Sequence, residues 1–371
     1  MRNKVLFLSC DLSGYYAACL RQLAKPGDLD IHVMHYPGDT NAPFEIKGEY
    51  PGTRFYVSTA YDNPGLERLV DSIAPHLIIC SGWANRHYLH ICRRMKGKAR
   101  TVLLSDNHWR GTLRQQAATL AGPLILKRYF DACWVSGKPQ RVYAQKLGFK
   151  DHEICEGCYS CDFDYFSTAG QQMAATRQNG IPKKFLYVGR YIRIKGVEEL
   201  WKAYEEFCAS GNAGWELWCV GKGNLRESQP RLDTLKDFGF VQPHEIAGFI
   251  EKAGVFVMPS HDDHWGVAIH EFAAAGFPLI CSRGALAATA YLREGYNGTY
   301  HEPRNTASLA GAFRRIAALS DTELAYMGKN STNLAGQMTP VIWSSIIREY
   351  LSDSLPVFRY DANKAITRAN Q

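Results

Sequence analysis

Two cations and two carboxylates in the second half of the chain have the types and spacing to act on a phosphorylated ligand. Arg190 and Lys195 are separated by four residues in Gly189-Arg-Tyr-Ile-Arg-Ile-Lys195-Gly196, and Asp263 and Glu271 by seven in Asp263-His-Trp-Gly-Val-Ala-Ile-His-Glu271. Arginine offers a planar fork for two phosphate oxygens and lysine a mobile point charge, so one of each can hold a diphosphate while its negative charge grows. Between the carboxylates, Trp265-Gly266 opens a helix whose first backbone N–H groups lack partners within the helix and can face an anion. Asp263 then stands just before that helix and Glu271 in its second turn. This order of parts suits a nucleotide-sugar site.

Such residues need strands and turns to bring them together. Phe185-Leu-Tyr-Val188 reads as an apolar strand ending at Gly189, with an amphipathic helix after Gly196. Trp215 to Val220 is a second strand, closed by the turn Gly221-Lys-Gly223, and Val255 to Met258 a third. In the first half, Val5–Ser9, Ile31–His35, His76–Cys80, Thr101–Ser105 and Ala132–Ser136 are continuous apolar runs separated by helical periodicity, the pattern of a parallel sheet covered on both faces. Asp11-Leu-Ser-Gly14 follows the first of these runs and starts a helix at a strand's carboxyl end, where open α/β sheets bind ligands. At 371 residues the chain exceeds one ordinary core, so two domains are expected. No apolar run reaches the roughly 20 residues that span a bilayer, and Met1 to Cys10 reads as a first strand rather than a signal peptide. Eleven cysteines, mostly in apolar contexts, suit reduced thiols in a cytosol.

The motifs Gly189-Arg-x4-Lys195-Gly196 and Asp263-x7-Glu271, with Gly223 between them and Gly266 inside the second, resemble those of the retaining GT-B glycosyltransferases of family 4, over most of residues 181 to 345. This chain has Asp263 where that family usually has Glu, one methylene shorter. The resemblance implies an α/β fold of two Rossmann-like doubly wound domains with a cleft between them. The expected divisions are an acceptor-binding domain at 1–166, a linker at 167–184 and a nucleotide-sugar domain at 185–339. A C-terminal helix, with the tail, is expected at 340–371 and packs back on the first domain. It assigns donor binding to Gly14, Gly189, Gly223, Trp265, Gly266, Val267 and Glu271, with Glu271 on the ribose hydroxyls and Asp263 on the transferred sugar. Arg190 and Lys195 take the diphosphate. In the first domain the family carries a His near the donor sugar; here Asp106 occupies the nearest slot and His108 lies two residues on, so both are candidate catalytic residues. The implied reaction transfers a sugar, with retention of configuration, from a nucleotide diphosphate sugar to a glycan, lipid-linked glycan or other hydroxyl. It uses no cofactor and no metal, and the expected setting is bacterial polysaccharide or glycoconjugate synthesis.

Cys155, Cys158 and Cys161 have gaps that let thiolates converge on a metal, but no fourth ligand stands at the right spacing, and buried thiols are the expectation. Residues 86–150 hold fourteen Lys or Arg against only Asp106 and Asp131, a surplus of twelve that exceeds the whole chain's +7. An anionic membrane surface at the inner face of the cell, presenting a lipid-linked acceptor, would use such charge. Nucleic acid is not expected, because no recognition motif accompanies it. Two other classes remain: a sugar-nucleotide epimerase of the same two-domain plan, which needs no acceptor and against which the full motif set argues, and a non-catalytic nucleotide-sugar binding protein, favoured only if Asp263 has lost its function.

Overall fold

A computed structural model describes residues 2–9, 12–37, 48–176, 180–211, 214–242 and 245–361. Asp11 and Cys10, read above as the end of the first strand and the approach to the first helix, lie outside them. The described chain divides into two compact units, one within residues 2–161 and 338–360 and the other within residues 162–337. The breaks therefore fall a few residues before the expected 166 and 339.

The first unit is a parallel sheet of β1 (Asn3–Leu8), β2 (Leu29–His35), β3 (Thr53–Val57), β4 (Leu77–Ser81), β5 (Arg100–Ser105), β6 (Ala132–Val135) and β7 (Ile154–Cys155). Its order is β3-β2-β1-β4-β5-β6-β7, so the strand order reverses at β1. All five apolar runs read from the sequence become strands. The two extra strands sit at the sheet's edges: β3 is half exposed and β7 has two residues, so neither shows a continuous apolar run. Helices α1 (Gly14–Ala24), α2 (Asn63–Ile73), α3 (Arg86–Met95), α4 (Leu113–Ile125) and α5 (Lys138–Lys146) connect them.

The second unit opens with α6 (Phe163–Thr176) and continues with β8 (Lys184–Val188), α7 (Val197–Ala209), β9 (Glu216–Val220), β10 (Leu235–Asp237), α8 (Ala247–Lys252), β11 (Val255–Met258), α9 (Val267–Ala274), β12 (Leu279–Ser282), α10 (Ala288–Tyr291), β13 (Gly298–His301), α11 (Thr306–Ala317) and α12 (Asp321–Ala335). Its parallel sheet runs β10-β9-β8-β11-β12-β13, again reversing at its first strand. The expected linker needs correction here, because residues 167–176 are the body of α6. That segment is polar on one face only; Ala169 and Met173 are buried, and a Cβ on Gly170 would lie 2.3 Å from the Ala275 carbonyl, so α6 is packed backbone-close against the end of α9.

After α12 the chain returns to the first unit as α13 (Pro340–Tyr350), which packs on α1. Trp343 is the pin. Its ring stacks on Phe7 of β1 at 6.0 Å and meets Trp134 of β6 at 5.2 Å, while its N–H donates to the Cys158 carbonyl at 2.9 Å. Trp134 in turn donates to the Glu156 carbonyl at 3.0 Å. The cysteine-rich segment thus supplies carbonyl partners for two buried indoles, which would otherwise be buried without a partner. Its thiols are buried too, and desolvation pushes Cys155 up to about 12. Arg100 closes the far end of α13, donating to the carbonyls of Tyr350 at 2.7 Å and Ser354 at 3.0 Å. Among the described residues, no helix is long and apolar enough to cross a membrane.

Candidate functional site

The residues with chemical potential in the second unit collect at the carboxyl ends of β8, β9 and β11, where the strand order reverses. Open α/β sheets leave a crevice at such a point, because the connections on either side depart to opposite faces. Two short loops are locked together there. Gly189 N–H donates to the Val220 carbonyl at 3.0 Å and Tyr191 N–H to the Lys222 carbonyl at 2.8 Å. A Cβ on Gly223 would stand 2.2 Å from the Tyr191 carbonyl, and one on Gly189 would stand 2.8 Å from the Tyr187 hydroxyl, so glycine is required at both positions. The Tyr187 hydroxyl donates to the Arg190 carbonyl at 2.9 Å, fixing the backbone beneath an exposed guanidinium.

The loop carrying Lys195 is held against the loop after β11. Gly196 has φ +69°, and a Cβ on it would lie 2.3 Å from the Pro259 carbonyl, so this approach needs glycine for both conformation and space. His261 N–H donates to the Ile194 carbonyl at 2.9 Å, and the His261 ring pairs with Glu199 at 2.8 Å. The consequence is that the Lys195 ammonium reaches the Asp263 carboxylate and forms an ion pair, its two side chains 18% and 12% exposed. Ser260 donates to the same carboxylate oxygen at 3.5 Å. The Asp263 backbone is pinned in turn, its N–H donating to the Gly284 carbonyl at 2.9 Å.

Helix α9 starts at Val267 with Gly266 before it at φ +89°, and no side chain caps that end. Its rotation is fixed from both sides. Phe272 stacks on Phe256 of β11 at 4.2 Å, and His270 stacks on Tyr291 at 4.1 Å while its ring bonds the Ala335 carbonyl at 3.0 Å. Glu271 lies between these anchors. Burial, and secondarily the neighbouring Asp162 carboxylate, pushes its carboxyl up to about 7. Trp265 is buried and packs edge-on to Tyr291. The sequence reading missed Asp162, Glu199, Ser260 and His261 at this site. Ser260 and His261 stand just before Asp263 and are the only two with a local signal.

Glu271 gives a direct stability prediction. Its folded carboxyl titrates well above the ordinary carboxylate value of about 4.3, so the folded state holds a proton that the unfolded chain has released. This group therefore destabilises the fold progressively as pH rises from about 4.5 to about 7, and fully above that. Glu271→Gln has no such dependence. We expect it to unfold at the same denaturant concentration as the unsubstituted chain near pH 4.5, and to be more stable by about 1–3 kcal/mol at pH 8. Denaturant titrations at the two pH values test this; a difference that does not change with pH would contradict it.

The first unit holds the remaining predicted residues. Gly14 opens α1 at the carboxyl end of β1. Asp106 and His108 follow β5. Asp106 accepts from the Tyr159 hydroxyl at 3.4 Å, and Tyr159 packs edge-on against Tyr15 of α1 at 5.6 Å. His108 is engaged differently: Arg110 donates to its ring at 3.4 Å and Gln115 to its carbonyl at 2.7 Å.

Residues 170–334, within the second unit, match the family model described as Glycosyl transferases group 1. Among curated proteins, the chain is similar to a glycogen synthase of Mycobacterium tuberculosis (strain CDC 1551 / Oshkosh), 31% identical over 150 residues that cover 38% of this chain and 36% of that protein. The chain therefore spans little more than a third of such a relative. Among solved structures it shares its fold with a sucrose-phosphate synthase from Thermosynechococcus elongatus, with a TM-score of 0.70 at 17% identity, covering 94% of this chain and 98% of that one. Anabaena HepE, solved in complex with UDP and glucose, gives a TM-score of 0.67 at 15% identity, covering 94% and 99%. Two Rossmann-like units of parallel sheet, with these neighbours, identify the fold as GT-B.

Proposed function

We propose that this chain is a retaining glycosyltransferase that takes a sugar from a nucleotide diphosphate sugar and passes it to a hydroxyl of a glycan, a lipid-linked glycan or a small alcohol. The observation that carries the reading is the convergence of the Lys195 loop, Arg190, Asp263 and the uncapped start of α9 at the strand-order reversal of a group 1 glycosyl transferase domain. HepE, a neighbour in fold, was solved with UDP and glucose, which favours a nucleotide sugar as donor.

In this reading Arg190, Lys195 and the N–H groups at Val267 take the diphosphate, doing by fixed charge what divalent metal ions do elsewhere. Gly189, Gly223 and Gly266 let backbone approach the nucleotide, and Glu271 accepts the ribose hydroxyls. The bond from the anomeric carbon to the diphosphate breaks, and a bond to the acceptor oxygen forms on the same face. The acceptor's proton passes to the departing phosphate oxygen. The first unit, with Gly14, Asp106 and His108, takes the acceptor and the sugar end of the donor, and the protein works on the cytoplasmic side of the membrane.

The test is donor turnover with and without acceptor, after a thermal-shift screen has found the nucleotide sugar, since binding to the folded form alone raises the melting temperature. Acceptor-dependent turnover giving a product of unchanged anomeric configuration is expected. Release of an epimerised or free sugar without acceptor would favour the epimerase reading, and binding without turnover the non-catalytic one.

A further inference from the structure

Helix α4 is built inside out. Its inward face is made of small or polar residues: Gly122 is buried, Ala118 is partly buried against the core, and a Cβ on Gly122 would meet the Leu147 carbonyl at 3.0 Å. Its large apolar residues point the other way. Leu113, Leu120 and Leu124 are 82%, 84% and 74% exposed, and Ile125 is 47% exposed. Leu113, Ala117, Leu120 and Leu124 recur every three or four residues, which on a helix of 3.6 residues per turn sets them within roughly 60° of one another. A water-facing helix places its leucines against the core. This one presents a continuous leucine stripe outward.

The charge around the stripe says what covers it. From Asn107 to Phe130 the sequence has Arg110, Arg114, Lys127 and Arg128 and no Asp or Glu. Arg114 and Arg128 are exposed at the two ends of the helix. Several of the basic residues expected above to meet a membrane are engaged elsewhere. Arg94 pairs with Asp71 and Glu67, Lys96 with Asp131 at 2.6 Å, Arg141 with Asp151, and Arg100 is turned onto the end of α13. Arg94, Arg141 and Lys127 meet acids from outside the segment, Lys127 at Glu153, whereas Arg114 and Arg128 flank an apolar face.

We propose that α4 docks this protein on an anionic lipid bilayer, with the leucine stripe among the acyl chains and Arg114 and Arg128 at the headgroups. An apolar helical face bordered by cations and lacking acids is what an interfacial helix requires. The loop directly before α4 carries Asp106 and His108, so docking brings that end of the sheet to the lipid surface, where a lipid-linked acceptor would be found. The inference goes beyond the transferase reading and is tested without donor or acceptor.

The experiment is co-sedimentation of the full chain with vesicles of equal parts phosphatidylglycerol and phosphatidylcholine, and with vesicles of phosphatidylcholine alone. We expect binding to the anionic vesicles, weakened by salt, and about tenfold weaker binding to the neutral ones. Leu120→Gln with Leu124→Gln should weaken binding to anionic vesicles by about tenfold without lowering the melting temperature, because neither side chain contributes to the core. Arg114→Gln with Arg128→Gln should reduce binding to anionic vesicles and leave the neutral ones unchanged. Binding of the leucine variant equal to that of the unsubstituted chain, or no vesicle binding by the unsubstituted chain at low salt, overturns the proposal. Sedimentation velocity showing a dimer that the leucine variant dissociates would also overturn it, by assigning the stripe to a second copy.

Discussion

Arg190→Ala and Lys195→Ala should each lower the rate of donor turnover by roughly ten- to a hundred-fold, the loss that follows when a charge-assisted bond worth about 1.5–3 kcal/mol in the transition state is removed. The two variants should differ in stability. Arg190 is exposed, so its removal leaves the melting temperature unchanged. Lys195 is paired with Asp263, and its removal leaves a carboxylate that is only 12% exposed without its cation. Breaking one partner of a largely buried pair is destabilising. Lys195→Ala should therefore melt earlier, and Arg190→Ala is the cleaner probe of the diphosphate contact. Steady-state kinetics alongside thermal melts decide the matter. An unchanged kcat/KM in both variants, with the fold intact, would remove the diphosphate assignment.

Asp263→Ala should reduce transfer by about a hundredfold or more while leaving the affinity for free nucleoside diphosphate the same or higher. The ion pair supplies the reason. Asp263 neutralises the ammonium proposed to meet the diphosphate, and Ser260 stands by the same oxygen. Deleting the carboxylate releases Lys195 for the phosphates but removes the group that holds it in place and that the sugar hydroxyls would meet. Glu271→Ala should instead weaken nucleotide affinity and transfer together, because its assigned partner is the ribose. Titration calorimetry with the nucleoside diphosphate, paired with initial rates, separates the two. Lys195→Ala and Asp263→Ala combined should depart from additivity in stability by about 0.5–3 kcal/mol, as contacting residues do. Equal loss of nucleotide affinity in the Asp263 and Glu271 variants would refute the division of roles.

Much of this was already present in the linear sequence. The apolar runs at Val5, Ile31, His76, Thr101 and Ala132 each became a parallel strand, because a strand buried on both faces is written as consecutive apolar residues and needs no knowledge of its neighbours. Gly189, Gly196 and Gly266 likewise announced turns after strands, since no other residue type tolerates such backbone approach or positive φ so readily. Those motifs fall within residues 170–334, the stretch that matches the group 1 glycosyl transferase model.

What the sequence did not carry are properties that depend on what lies across the fold. Residues 167–176 are polar enough to read as a linker, yet Ala169, Gly170 and Met173 find a face to pack against, and the segment is helical. Part of the positive charge in residues 86–150 looked free because the partners of Arg94, Lys127, Arg141 and Arg100, namely Glu67, Asp71, Glu153, Asp151 and the carbonyls after Tyr350, stand outside that stretch. In α4 the periodicity alone shows a leucine stripe without showing which way it faces; packing of Gly122 against Leu147 turned it outward. Lys195 and Asp263 lie 68 residues apart, and only the close seating of Gly196 on Pro259 makes them a pair. Element type follows from local steric and hydrophobic pattern, which the sequence holds; the partner of each charge and the outward face of each helix follow from long-range packing, which only the folded chain decides.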